Sequence, residues 1–190
     1  MAKLNSPSDM MAAVSDSMKA RTGKTLDEWV QVVMKSGLDP LDQKGVRNWL
    51  KSEHGIAQNT QWAIADASAR AAGWVRPSVE GYIDSQYTGD KAALRPIFDK
   101  IRQLLEAWPD VTAEGRGGYT PFVHGRQFAA VQAAKNRVEL GLRFTNPPES
   151  DLIKPAKAPG MSTHKLVLTS PEEVTDAVEQ LLRLAYEQNA

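Results

Sequence analysis

Residues 118–144 constrain the fold of this chain most strongly, because short apolar runs alternate there with turn residues. From Arg137 onward the pattern has a period of two residues, so one face of the segment is apolar and the other is mainly polar. The apolar face comprises Val138, Leu140, Leu142 and Phe144, and the polar face comprises Arg137, Glu139, Gly141 and Arg143. The segment is therefore predicted to be a β-meander whose strands bury one face.

The first 73 residues predict four short helices with recognisable start and stop signals, and such helices form a compact bundle. Ser6 is a suitable cap for the first helix, and Thr25 begins a capping box for the second. Asp42 and Asn59 are suitable caps for the third and fourth helices. The N-terminal part of the chain is therefore predicted to be a four-helix bundle.

The tryptophans follow the apolar stripes of the predicted helices. Trp29, Trp49 and Trp108 lie at helical spacing with other apolar residues, which indicates core positions. Trp62 is assigned to the core on the same ground. The sequence thus favours a structural role for the tryptophans over a ligand-stacking role.

A second domain is predicted after the bundle, because Gly73 ends one helix and Pro77 can begin another. The domains are accordingly 1–73 and 74–190. The second domain contains helices, the meander, a proline-rich loop over 145–163, a further strand and a last helix. Helices packed on one face of a mostly antiparallel twisted sheet place this domain, and the chain, in the α+β class.

Charge and composition exclude several kinds of chemistry. The chain has 23 basic and 23 acidic residues, so no strong net field attracts nucleic acid or an anionic membrane. The absence of cysteine excludes disulfides, thiolate metal sites and a cysteine nucleophile. No apolar run is long enough to cross a membrane, and the first residues lack a secretory signal, so we expect a cytoplasmic protein without a membrane partner.

Several short motifs in the N-terminal part resemble the domain of unknown function numbered 4287. They are Thr22-Gly23-Lys24-Thr25, Glu28-Trp29, Trp49-Leu50-Lys51 and Glu53-His54-Gly55. The remainder of the chain resembles the domain of unknown function numbered 5655. The motifs in that part are Arg76-Pro77, Leu94-Arg95-Pro96, Asp110-Val111, Gln127-Phe128-Ala129, Leu140-Gly141-Leu142 and Ala185-Tyr186. These two families have no settled activity, so the resemblance implies no catalytic residues.

A looser resemblance connects the meander to the domain of unknown function numbered 1801, which includes frataxin-like proteins. The residues that carry it are Tyr119, Pro121, Phe122, Gly125 and Lys135-Asn136. This resemblance implies iron handling as one alternative function. The three histidines have no helical ligand spacing, however, and neither a metal nor another cofactor is predicted from the residues themselves.

The best candidate site is the polar face of the meander together with the turn at Arg116-Gly117-Gly118, whose backbone amides can form an anion-binding nest. The candidate ligand-binding residues are Arg116, Tyr119, His124, Arg126, Gln127, Lys135, Arg137 and Arg143. They can combine hydrogen-bond donors and an aromatic surface in a concave pocket near the arginines. The alternative interpretation is a solvated sheet surface whose charges pair across strands.

The favoured function is a non-catalytic module that binds a small molecule or anion on the polar sheet face. A nucleic-acid-associated module is the first alternative, although the first 73 residues balance nine basic residues against eight acidic ones. An unrecognised enzyme or metal-handling protein is the second alternative. In that case His124 and Tyr119 are the candidates for acid–base chemistry, provided that they meet in the fold.

Overall fold

The computed structural model describes residues 17–190, and the chain divides into two compact units between Arg76 and Pro77. Residues 17–22 are helical, whereas the predicted start of that helix at Ser6 lies outside the described residues. None of the described helices is both long enough and apolar enough to cross a membrane.

The N-terminal unit contains helices whose first turns are fixed largely by side-chain caps. They are α1 (Leu26–Lys35), α2 (Gln43–His54) and α3 (Gln58–Ala71). The predicted capping box is confirmed, since Thr25 Oγ1 accepts from the Glu28 amide at 3.2 Å and the Glu28 carboxylate accepts from the Thr25 amide at 2.7 Å. Asp42 caps α2 by accepting from the Gly45 amide at 2.9 Å. Helix α3 instead follows Ala57, which supplies no side-chain cap.

The core of this unit lies between the apolar stripes of the helices. Its buried side chains include Met18, Trp29, Val33, Val46, Leu50, Ile56 and Ile64. The assignment of Trp62 to this core was wrong, because 48% of that residue is exposed. Helix α3 buries Ile64 and small alanines, so the indole of Trp62 faces outward, where the Arg47 guanidinium lies 3.5 Å from its ring centroid.

The C-terminal unit is α+β, as the sequence predicted. Its elements are α4 (Val79–Gln86), α5 (Arg95–Glu106), β1 (Thr112–Ala113), β2 (Thr120–His124), β3 (Arg126–Ala133), β4 (Val138–Leu142), β5 (Lys154–Pro155), β6 (His164–Leu168) and α6 (Asp176–Glu187). The strands form one sheet in the order β1-β2-β3-β4-β6-β5, and all neighbouring strands are antiparallel. Strands β2 to β4 are the predicted meander.

The sheet has a core face, which packs against the helices, and an outer face on the opposite side. The core face includes Phe122, Val131, Val138, Leu140, Leu142 and Leu166. Helix α5 contributes Ile97, Phe98 and Ile101 to this core, and α6 contributes Leu181 and Leu182. The alternation predicted from Val138 to Phe144 therefore has its apolar side inward.

The outer face is covered in part by residues 145–163, which we call the cover loop. A Cβ atom built on Gly141 would collide with Ser162 Oγ and would lie 2.8 Å from Pro159 Cδ. The loop is held at its ends, because the Thr145 amide donates to Gln188 Oε1 at 2.8 Å and the Thr163 amide donates to the Leu142 carbonyl at 3.0 Å. The middle of the sheet is thus buried on both faces.

Candidate functional site

The predicted basic residues of the sheet lie at its two ends. Arg126 is exposed at the start of β3, and Arg143 follows β4 at the same end, where its amide donates to the Phe128 carbonyl. Lys135 and Arg137 lie in the turn between β3 and β4. Because β3 has eight residues, these ends are roughly 23 Å apart. The structure does not bring Arg126, Arg137 and Arg143 into one pocket.

Arg137 belongs to an ion-pair cluster on the outer face. Its Nη2 lies 2.7 Å from Glu139 Oε1, and Lys165 Nζ lies 2.8 Å from Glu139 Oε2. Hydrogen bonds from Lys165 and then Arg137 lower the pKa of the Glu139 carboxyl below its ordinary value. Only 11% of the Glu139 side chain is exposed, and its charge is balanced by two cations, of which Lys165 links β4 to β6.

Tyr119 and Gln127 meet beneath the cover loop. A Cβ built on Gly160 would lie 2.9 Å from Tyr119 Cε2 and 2.8 Å from Gln127 Nε2. Gln127 Nε2 is buried and has no acceptor among the described residues. The loop occupies the space above these two side chains, so this part of the predicted site is filled by the chain itself.

His124 packs against the last helix. Its ring stacks on Tyr186, with the centroids 4.0 Å apart and the planes at 10°, and Nδ1 lies 3.4 Å from the Tyr186 carbonyl oxygen. His124 faces α6 on the core side of the sheet, whereas Tyr119 lies under the cover loop on the outer side. The two side chains proposed for acid–base chemistry are therefore on opposite faces.

Arg116 lies beside a pocket at the edge of the unit, and its own guanidinium is 2.7 Å from Glu114 Oε2. The pocket has a volume of about 370 Å³, and we call it the glycine pocket. It is lined by Ser85, Gln86, Thr88, Asp90, Lys91, Gly117, Gly118 and Ala133. The amides of Gly117 and Gly118 have no hydrogen-bond acceptor within residues 17–190. Neither glycine has the left-handed φ of the αR-αL form of the predicted nest, but two consecutive free amides can still donate together to one anion.

Gln86, the last residue of α4, forms the buried wall of the glycine pocket and is only 7% exposed. Its Nε2 donates to the Arg116 carbonyl at 2.9 Å and to the Tyr82 carbonyl at 3.2 Å. Because a carbonyl only accepts hydrogen bonds, Nε2 and not Oε1 of Gln86 must face these two groups. Gln86 Oε1 is consequently buried without a donor.

Lys91 completes the polar lining, since it is half-buried and has no ion pair among the described residues. Sequence reasoning identified the turn at Gly117 and Gly118 but missed Gln86 and Lys91. Neither residue has a local signal, because about thirty residues of chain separate them from the turn that they face. Within residues 17–190, no three His, Asp or Glu side chains form a group that could hold a metal ion.

The comparisons with known proteins agree with the resemblance seen in the motifs. Residues 10–67 match the family described as Domain of unknown function (DUF4287). Residues 83–189 match the family described as Domain of unknown function (DUF5655). No curated protein and no solved structure gave a significant match. Because the second match covers more than half of the sequence, the chain belongs to the DUF5655 family.

Proposed function

We propose that the C-terminal unit is a non-catalytic binding module that takes a small molecule with an anionic oxygen group in the glycine pocket. The observation that carries this proposal is the pair of free amides at Gly117 and Gly118 beside the unpaired Lys91. Successive amides and a lysine ammonium are complementary to phosphate or carboxylate oxygens. The volume of about 370 Å³ is within the range of small-ligand sites.

The buried wall narrows the class of ligand further. Gln86 Oε1 is an acceptor without a donor, and a buried acceptor of this kind is costly unless a partner is bound. A ligand with a hydroxyl or ammonium group near its anionic end would supply that donor. Asp90 at the same pocket would favour an ammonium group. We therefore assign the pocket to small molecules that combine an anionic oxygen group with a hydrogen-bond donor.

This proposal shifts the binding site from the centre of the sheet to its edge. At the centre, the cover loop occupies the space above Gly141, and Arg137 and Lys165 are engaged by Glu139. At the edge, the Arg116 carbonyl orients Gln86, so that Arg116 positions the pocket through its backbone.

The test is an amide-resolved NMR titration of the full chain with O-phosphoserine, which carries a phosphate and an ammonium group, and with inorganic phosphate. We expect saturable shifts at Gly117 and Gly118, with tighter binding of O-phosphoserine. Lys91→Met should weaken binding by about tenfold. Lys157→Met removes an exposed lysine outside the pocket and serves as the control. Unmoved glycine amides, or a Lys91→Met variant that titrates like the parent chain, would contradict the proposal.

A further inference from the structure

The N-terminal unit contains two adjoining cavities of about 420 and 770 Å³ that share Gly55, Ile56 and Ala57. Together they form what we call the basic groove. Its Lys and Arg side chains are Arg21 and Lys24 in the smaller cavity and Lys44, Arg47 and Lys51 in the larger one. Among residues 17–190, no Asp or Glu residue lines either cavity. The groove is therefore a concave surface of a single charge sign.

No carboxylate within residues 17–190 neutralises the positive charges of the basic groove. None of its five Lys and Arg side chains has a carboxylate within ion-pair distance in the described part of the chain. Four of the six described carboxylates of this unit are engaged elsewhere, as helix or turn caps or in ion pairs with Arg70 and Arg76. They are Glu28, Asp39, Asp42 and Asp66. An unneutralised cluster in a concave site attracts an anionic partner.

The lysines and arginine of the larger cavity form a row on one helix. Lys44, Arg47 and Lys51 are spaced three and four residues apart, so they share one face of α2 and extend over about 10 Å of its length. A row of this length is longer than a single small anion can contact. It suits a polymer whose phosphates follow one another at regular intervals.

An exposed aromatic ring lies in the same cavity. Trp62 is 48% exposed, and its ring is held by the Arg47 guanidinium 3.5 Å from the centroid. A tryptophan presented this way gives a flat platform on which a base can stack. The cavity also contains the side-chain amides of Asn48 and Gln58, which can bond base edges.

We propose that the basic groove binds single-stranded nucleic acid, with phosphates at Lys44, Arg47 and Lys51 and a base stacked on Trp62. Unpaired bases can reach the indole, whereas the bases of a duplex are stacked within the helix and cannot. The backbone amides at the start of α3, where Ala57 provides no side-chain cap, offer additional donors to a phosphate.

The test is fluorescence anisotropy of the full chain with labelled oligothymidylate over a series of salt concentrations. Each phosphate contact to a single strand contributes about 0.7 to the slope of log K against log salt. The double variant Lys44→Gln/Lys51→Gln should therefore reduce that slope by about 1.4. Trp62→Ala should weaken binding by about tenfold through loss of stacking, with little change in the slope.

The matched control is Lys154→Gln/Lys157→Gln, which removes two exposed lysines from the C-terminal unit and should bind as the parent chain does. A thermal melt of each variant verifies that it is folded. The proposal is overturned if oligothymidylate does not bind at low salt, or if the groove variants bind it unchanged. It is also overturned if duplex DNA binds more tightly, or if polyglutamate displaces the strand equally well, which would indicate an acidic protein partner.

Discussion

The outer face of the sheet and the basic groove differ in how their basic side chains are paired. On the outer face of the sheet, Arg137 and Lys165 both contact Glu139, at 2.7 and 2.8 Å, so the cations are neutralised within the fold. In the basic groove, Lys44 and Lys51 have no carboxylate partner in the described chain. The comparison teaches that the positions of the carboxylates, more than the number of lysines and arginines, decide which surface can attract an anion.

The difference has a structural origin. In the N-terminal unit, Glu28 and Asp42 are fixed at helix starts, where they bond backbone amides. That use of acidic residues stabilises α1 and α2, and it leaves the groove without a paired carboxylate from residues 17–190. In the sheet, cross-strand pairing brings Glu139 and Lys165 to adjacent strands, and neutralisation follows from the register of β4 and β6.

The largest expected effect concerns the closed outer face of the sheet. Gly141→Ala introduces a Cβ against Ser162 and Pro159 of the cover loop, and we expect it to lower the free energy of unfolding by about 2–3 kcal/mol. Chemical denaturation of the full chain measures this. Gly118→Ala is the control, because a Cβ there meets nothing within 4 Å. Equal stabilities of the two variants would mean that the cover loop does not close the face.

An intermediate effect is expected at the ion-pair cluster. Glu139→Gln leaves Arg137 and Lys165 without their counter-charge and should lower the free energy of unfolding by about 1–2 kcal/mol at neutral pH, the cations being partly exposed. The folded-state pKa of Glu139 is lowered from 4.5, so its contribution is present above 4.5 and is lost as pH falls through the lowered pKa.

Parent chain and Glu139→Gln should therefore differ in denaturation midpoint near neutral pH and converge in acid. Glu149→Gln, at an exposed carboxylate of the cover loop, should follow the parent chain throughout. A constant gap between the parent and Glu139→Gln at all pH values would show that packing, and not charge, is lost in the variant.

The smallest effect on stability is expected in the basic groove. Lys44→Gln/Lys51→Gln removes two charges that have no carboxylate partners, so the free energy of unfolding should change by less than about 0.5 kcal/mol. The same denaturation measurement applies, with Lys165→Gln as the contrasting variant because Lys165 has a partner. A loss in the groove variant as large as that of Lys165→Gln would remove the distinction between the two regions.

Much of the fold could be predicted from the sequence because the signals are local. The capping box at Thr25 and Glu28 lies within four residues, and the alternation from Val138 to Leu142 places its apolar residues on the core face as expected. The burial of Gly141 could not be predicted in this way. It depends on the cover loop, whose residues are distant in sequence, so a period-two pattern in one strand does not reveal it.

The candidate sites were harder to predict for the same physical reason. Arg126 and Arg137 are close in sequence, but an extended strand separates them, whereas Gln86 and Gly117 meet across a long stretch of chain. The row from Lys44 to Lys51 was visible at helical spacing. The near-balance of basic and acidic residues over the N-terminal part obscured this row. That balance includes carboxylates such as Asp42, which bond backbone amides at helix starts and do not pair with the lysines.

The most direct test of this account is an amide-resolved NMR titration of the full chain with unlabelled oligothymidylate, comparing the two regions in one sample. The account predicts salt-sensitive shifts along α2, at Gly55–Gln58 and at the Trp62 indole. It predicts none at Arg137 or Lys165 on the sheet, whose charges are neutralised by Glu139. Shifts centred on the sheet, with the groove unmoved, would contradict the claim that unpaired cations mark the anion-binding surface.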